Sequence, residues 1–177
     1  MATSLAELSD RHEIWQVILR YARGIDRHDR ALVRSCYHDD AIDDHGAIVG
    51  DPDAFIDWAL GYHGAFNTLH HHGVSNHWCE LDHDTAHCET YYTFIGANQA
   101  APHTLAMGRY VDRLEKRGGE WRIADRVCVN ELVCDLAETA LPDDYARALA
   151  SSGPGTRDAG DVSYMRPLRA RRPLQTD

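Results

Sequence analysis

The 177-residue chain is long enough for one domain with a real core and a terminal extension. Its 18 Lys and Arg stand against 28 Asp and Glu, a net charge of −10, which repels phosphate backbones and anionic lipid and so argues against nucleic acid or a membrane surface as partner. No signal-peptide core and no membrane-length apolar run occurs, and the five cysteines form no C-x-x-C pair; a cytoplasmic protein without a disulfide framework is expected.

In chain order, Ser4 and Glu7 have the spacing of a capping box, and Ile14, Ile18, Tyr21 and Ile25 recur at helical period behind it. The pattern predicts a long first helix ending near Asp26, followed by a short helix capped by Asp29. The segment AIDDHGAIVG reads as a brief strand and turn. Asp51 and Pro52 then supply an N-cap and a first-turn proline for a helix through Phe55, Ile56, Ala59 and Leu60, stopping by Gly61 or Gly64. From residue 68 the period falls to two, predicting strands near 69–81, 86–96, 103–116 and 120–133, with Gly118–Gly119 closing the last hairpin. If the preceding hairpin turns about His83–Asp84, Cys79 and Cys88 face each other as two small buried side chains.

Helices first and antiparallel strands after predict an α+β domain, its helices covering one face of a curved sheet and leaving a pocket between the layers. The domain spans residues 1–134. Residues 135–177 hold a short helix in LPDDYARALA, a linker SSGPGTRDAGD of flexible composition, and a basic tail with Arg166, Arg169, Arg171 and Arg172.

Five segments, YARGIDRHD, YHDDA, TLHHHGVSN, LDHDTAHCETYY and GRYVDRLEKRGGEWRIADR, in this order and spacing, resemble the SnoaL-like branch of the nuclear-transport-factor-2-like superfamily over residues 5 to 133. The resemblance implies a cone-shaped α+β barrel that assembles as a homo-oligomer, a dimer or trimer, around a small apolar ligand. The family holds dehydratases, dehydrohalogenases, isomerases and non-enzymatic binders, so the fold alone leaves the activity open.

Its dehydratases and its dehydrochlorinase use an aspartate from the end of the first helix and a histidine from the first long strand. The matching residues here are Asp26 and His72. An aspartate that fixes one imidazole nitrogen raises the basicity of the other, which can take a proton from carbon beside a leaving group without any cofactor. Motif spacing favours His72. Strict alternation with Leu81 and Ala86 on the core face favours His71 instead, unless a bulge at Gly73 shifts the register.

The resemblance also implies a substrate-polarising role for Tyr21, against its reading as a core tyrosine. His45 stands near the position of a second family tyrosine. Arg126 and Asn130 share parity in RVCVN and match positions that hold an oxyanion or leaving group, although Arg126 has Asp112 and Asp125 as alternative partners. Phe94 replaces an acid of the bile-acid dehydratase and, with Trp15, Phe55, Trp58 and Phe66, offers aromatic wall. A competing metal reading takes His70 and His72, two apart on a strand, with His45 or Glu89 as third ligand.

These residues point to a cofactor-independent dehydratase acting on a hydroxylated cyclic compound such as a steroid or polyketide ring. A ketosteroid-type isomerase using Asp26 as proton shuttle, or a protein that only binds its ligand, are the alternatives.

Overall fold

A computed structural model describes residues 4–153 and 155–170. Three helices, α1 (Leu5–Asp26), α2 (Arg30–Arg34) and α3 (Pro52–Phe66), are interleaved with β1 (Tyr37–Asp44) and β2 (Val49–Gly50); four long strands follow, β3 (Asn67–Asp82), β4 (Thr85–Asn98), β5 (His103–Arg117) and β6 (Glu120–Leu136). Helix α4 (Asp143–Ala150) and a single 3-10 turn (Val162–Tyr164) lie beyond the sheet.

The helix starts are chemically specified. Ser4, Asp29 and Asp51 each accept a backbone N–H from three residues ahead, at 3.1, 2.9 and 2.9 Å, which satisfies donors that the first turn leaves orphaned. Helix α3 passes through Gly61 and Gly64, where the sequence predicts a stop, and runs to Phe66. A helical glycine costs only about 1 kcal/mol relative to alanine. Tyr62 packs on Phe66 with ring centroids 4.8 Å apart, and the Asn67 N–H closes the last turn on the His63 carbonyl.

The six strands form one sheet in the order β2-β1-β6-β5-β4-β3. The long strands are antiparallel, as their two-residue period predicts, but β1 joins β6 in parallel. The sheet has two edges, at β2 and β3, so it is a curved open layer and not a closed barrel. Helix α1 contributes Ile14, Val17, Tyr21 and Ile25 to one core cluster with Ala86, Cys88, Tyr110, Leu114, Trp121 and Ile123 of the sheet, all of them buried. Full burial of each aliphatic side chain there is worth about 1.5–3 kcal/mol. At the other end of α1, Asp10 accepts hydrogen bonds from Lys116 Nζ at 2.7 Å and Trp121 Nε1 at 2.9 Å. These contacts tie the helix to the last hairpin and hold the Asp10 carboxyl below its usual range.

Within the stretch that composition marks as a flexible linker, Arg157 donates to the His63 and Asn67 carbonyls at 2.9 and 2.7 Å. Asp161 pairs with Arg27 at 3.6 Å, and Tyr164 donates to Asp29 at 3.2 Å. The chain after α4 therefore returns to the C-terminal end of α1, where Arg157 finds backbone carbonyls, Asp161 finds Arg27 and Tyr164 finds Asp29. Arg166 and Arg169 are exposed; Arg171 and Arg172 lie outside the described residues.

Candidate active site

The end of α1 is built to aim Asp26. Gly24 packs so tightly on Val33 that a Cβ would come within 2.6 Å of Val33 Cγ2, which lets α2 fold back directly after the turn at His28, whose φ is +52°. Asp26 then faces β3. Its carboxylate accepts the His72 backbone N–H, at 3.2 Å from Oδ1 and 3.0 Å from Oδ2, and the His72 ring Nδ1 lies 2.7 Å from Oδ1. Burial alone would push the Asp26 carboxyl up, but the hydrogen bonds and charge of His72 outweigh it and lower it overall. With Nδ1–H committed to Asp26, the free nitrogen of His72 is Nε2, on a ring that lines the cavity.

The register question is answered by a bulge, three residues later than Gly73. It falls at Asn76, with φ +42°, between Ser75 and His77. His70, His72 and Val74 face inward before it, and His77, Cys79 and Leu81 face inward after it. His71 is exposed on the outer face. It does not line the cavity, which corrects the expectation from strict alternation that His71 faces the pocket, and with it any place for His71 in binding substrate.

Behind the pair lies a layer of neutral imidazoles. His70 Nε2 donates to the Ile25 carbonyl at 3.1 Å, and its ring stacks on His63 at 4.1 Å. Burial pushes the pKa of His70 down to about 3 and that of His63 down to about 4. Asp26, His70 and His72 do offer one donor atom each within 4.8 Å of one another, yet the hydrogen bonds just described already engage those three groups. The third ligands expected from the sequence are elsewhere: Glu89 pairs with Arg109 at 2.7 Å on the outer face, and His45 is bound to a different carboxylate.

That carboxylate is Asp43, a residue absent from the candidates that the sequence offers. Asp43 and His45 are two apart at the end of β1 and so share a side of the chain. Asp43 is fully buried and accepts hydrogen bonds from Tyr37 Oη at 2.6 Å and from His45 Nδ1. Burial disfavours charge on His45, but Asp43, with Cys128 alongside, prevails and raises the pKa to about 9. His45 Nε2 lies 3.4 Å from Tyr21 Oη, and the imidazole stacks on Phe55 with centroids 4.4 Å apart. Burial raises the Tyr21 phenol well above its usual pKa, so it is a neutral hydrogen-bonding group.

Arg126 is fully buried, and its Nε and Nη2 bond the two oxygens of Asp112 at 2.7 and 2.8 Å. Its guanidinium lies 4.0 Å from the Tyr21 ring centroid and 4.3 Å from that of Tyr110. It supports those aromatic rings from behind and is not among the cavity-lining side chains, which corrects the expectation that it touches an oxyanion. Asn130 does line the cavity, and its Oδ1 accepts a hydrogen bond from Tyr92 Oη.

The cavity between α1, α3 and β4–β6 measures about 290 Å³. Phe55, Trp58, Tyr62, Phe94 and Tyr110 give it aromatic wall, and His72, His45, Tyr21 and Asn130 place polar groups in it. Trp15 instead packs on His77, and Phe66 is exposed. Tyr92 and Tyr110 join the site without a sequence signal beyond their inward strand parity, and His63 joins it from helix α3 with none. For Asp43 a signal was present: an acid two residues from a histidine on a strand.

The fold has many solved counterparts. A scytalone dehydratase candidate from Novosphingobium aromaticivorans is 18% identical with a TM-score of 0.67, over 75% of this chain and 91% of that one. Hexachlorocyclohexane dehydrochlorinase LinA-type3 from Novosphingobium barchaimii is 18% identical with a TM-score of 0.70, over 78% and 97%. A protein of unknown function from Mycobacterium tuberculosis is 23% identical with a TM-score of 0.64, over 74% and 78%. At these identities the likeness is one of fold. No curated protein matches the chain. The family model described as a SnoaL-like domain, however, matches residues 6–127, most of the sheet and all three helices that line it, and the chain therefore belongs to the SnoaL-like family.

Proposed function

We propose that the protein is a cofactor-independent dehydratase that removes water from a cyclic hydroxy-ketone. The observation that carries this reading is the Asp26–His72 pair, hydrogen-bonded at 2.7 Å on the rim of an aromatic cavity. Nε2 of His72 takes the proton from the carbon beside the substrate carbonyl, while Asp26 stabilises the imidazolium that forms. Charge then develops on the carbonyl oxygen, where the His45 imidazolium and the Tyr21 phenol supply hydrogen-bond donors. As the enolate re-forms its carbonyl, the bond to the β-hydroxyl breaks, a carbon–carbon double bond forms, and the proton on His72 passes to the departing oxygen as water.

The cavity volume stands at the lower end for ligand pockets. It suits a substrate of one or two rings, such as a polyketide-derived aromatic precursor, better than a four-ring steroid enclosed whole. The isomerase alternative needs Asp26 itself as proton shuttle. A carboxylate held down by three hydrogen bonds from one residue is a weak base, which disfavours that route. Assembly as a homo-oligomer belongs to the same proposal.

The test is incubation with a mixed panel of cyclic hydroxy-ketones, steroidal and polyketide-like, followed by mass spectrometry. A product lighter by one water supports the dehydratase. A product of unchanged mass with a new conjugated-enone absorbance identifies an isomerase, and ligand recovered unaltered identifies a binder; either result overturns the proposal.

A further inference from the structure

Beyond the Asn76 bulge, on the part of β3 remote from His72, a second group of donors faces inward. His77 and Cys79 are two apart on β3 and share a face; Cys88 on β4 stands directly opposite Cys79 in the register. One donor atom from each lies within 4.8 Å of the other two. The His77 ring is fixed on one side by Nδ1 against Thr90 Oγ1, 2.8 Å away, and by the Trp15 ring, whose centroid is 5.0 Å from its own. Its other nitrogen, Nε2, is buried and has no hydrogen-bond partner among the described residues. A groove lined by Arg11, Trp78, Glu80 and Leu81 leads to the group from solvent.

We propose that His77, Cys79 and Cys88 form a binding site for a soft divalent cation of the zinc class, with water from the groove as fourth ligand. The donor set of two sulfurs and one imidazole suits such an ion, and none of the three is a hard oxygen that calcium or magnesium would require. Tetrahedral bonds of about 2.0–2.3 Å place ligand atoms roughly 3.6 Å apart, a closure that side-chain rotation supplies. A ligating imidazole ordinarily gives its second ring N–H to an oxygen acceptor, and Thr90 stands where that acceptor belongs. A simple Cys79–Cys88 disulfide would leave the His77 nitrogen unexplained. The ion would also have a structural use: among the described residues β3 is an edge strand that pairs only with β4, and its ladder is interrupted at Asn76 just before the site. A metal bridge clips the two strands together beyond that interruption.

The experiment titrates freshly reduced, metal-free full-length protein with Co²⁺, reads the thiolate-to-cobalt charge-transfer absorbance, and then displaces the cobalt with Zn²⁺. Expected are saturation at a single equivalent, a tetrahedral cobalt spectrum, and a melting temperature that rises with zinc concentration. Cys79→Ser and Cys88→Ser should each weaken binding and cut the thiolate band per bound cobalt to about half or less, the double variant should abolish it, His77→Gln should weaken binding about tenfold or more, and His72→Ala should leave it unchanged. Because Cys88 is buried, the better-exposed Cys79→Ser keeps the test valid if Cys88→Ser does not fold. Cobalt bound without a thiolate band, binding lost in His72→Ala, or cysteines that oxidise to a disulfide in the presence of zinc would each overturn the proposal.

Discussion

Two carboxylate–imidazole pairs contribute to one cavity, and they are polarised in opposite directions. In Asp26–His72 the carboxylate takes three hydrogen bonds from a single residue, two from its backbone N–H, and behind it stand imidazoles kept neutral by burial. In Asp43–His45 the carboxylate is sealed from water, also holds Tyr37 Oη, and keeps its histidine charged to about pH 9. In the proposed reaction the same two functional groups would serve as a proton acceptor in one setting and as a fixed cation in the other. Surroundings decide the role, and the pair types alone do not.

The strongest way to break this contrast is at the acceptor. His72→Ala, or Asp26→Asn with its altered tautomer, should lower kcat/KM by about 10³-fold, measured on the substrate the panel identifies, with the fold intact by circular dichroism. His45→Gln should cost less, about 10²-fold and mainly in kcat. In the wild type, activity should fall as pH rises through about 9, where the His45 proton is lost, and His45→Gln should abolish that limb. An alkaline limb that survives in His45→Gln would remove His45 from the oxygen-binding role.

Support for the wall that the cation touches comes next. Arg126→Met strands the buried Asp112 carboxylate and should destabilise the protein by about 3 kcal/mol, read as a lowered denaturant midpoint, with Tyr21 losing its backing.

The smallest effect concerns the neutral layer behind Asp26. His63 and His70 have folded-state pKa values depressed from 6.5 to about 4 and about 3, so below pH 6.5 the unfolded chain binds more protons than the folded one. Stability should therefore fall as pH drops from 6.5 toward 4, and His70→Gln should flatten that slope in a series of urea melts.

Much of this was legible in the residues. Ser4, Asp29 and Asp51 mark helix starts through side-chain chemistry that needs no tertiary context. The Cys79–Cys88 register follows from placing the turn at His83–Asp84. Asp26 and His72 came from the family resemblance, and no alternation rule could have chosen His72 over His71, because the choice depends on a bulge at Asn76 whose left-handed backbone leaves no periodic trace. The fates of Arg126 and Asp43 were hidden for a related reason. Parity gives the side of a strand but not the depth, so it could not separate Arg126, locked under Tyr21 and Tyr110, from Asn130 in the cavity wall. Nor could it reveal that the parallel strand β1 brings Asp43 into the core.

In the proposed reaction His72 is the base that starts the elimination. The direct measurement is solvent deuterium incorporation at the carbon beside the carbonyl, followed by NMR in D₂O with wild type, His72→Ala and His45→Gln on the same ketone. Incorporation should be rapid in the wild type, slowed in His45→Gln and absent in His72→Ala. Exchange in His72→Ala at the wild-type rate would show that another group removes the proton, and the assignment of His72 as the base would be wrong.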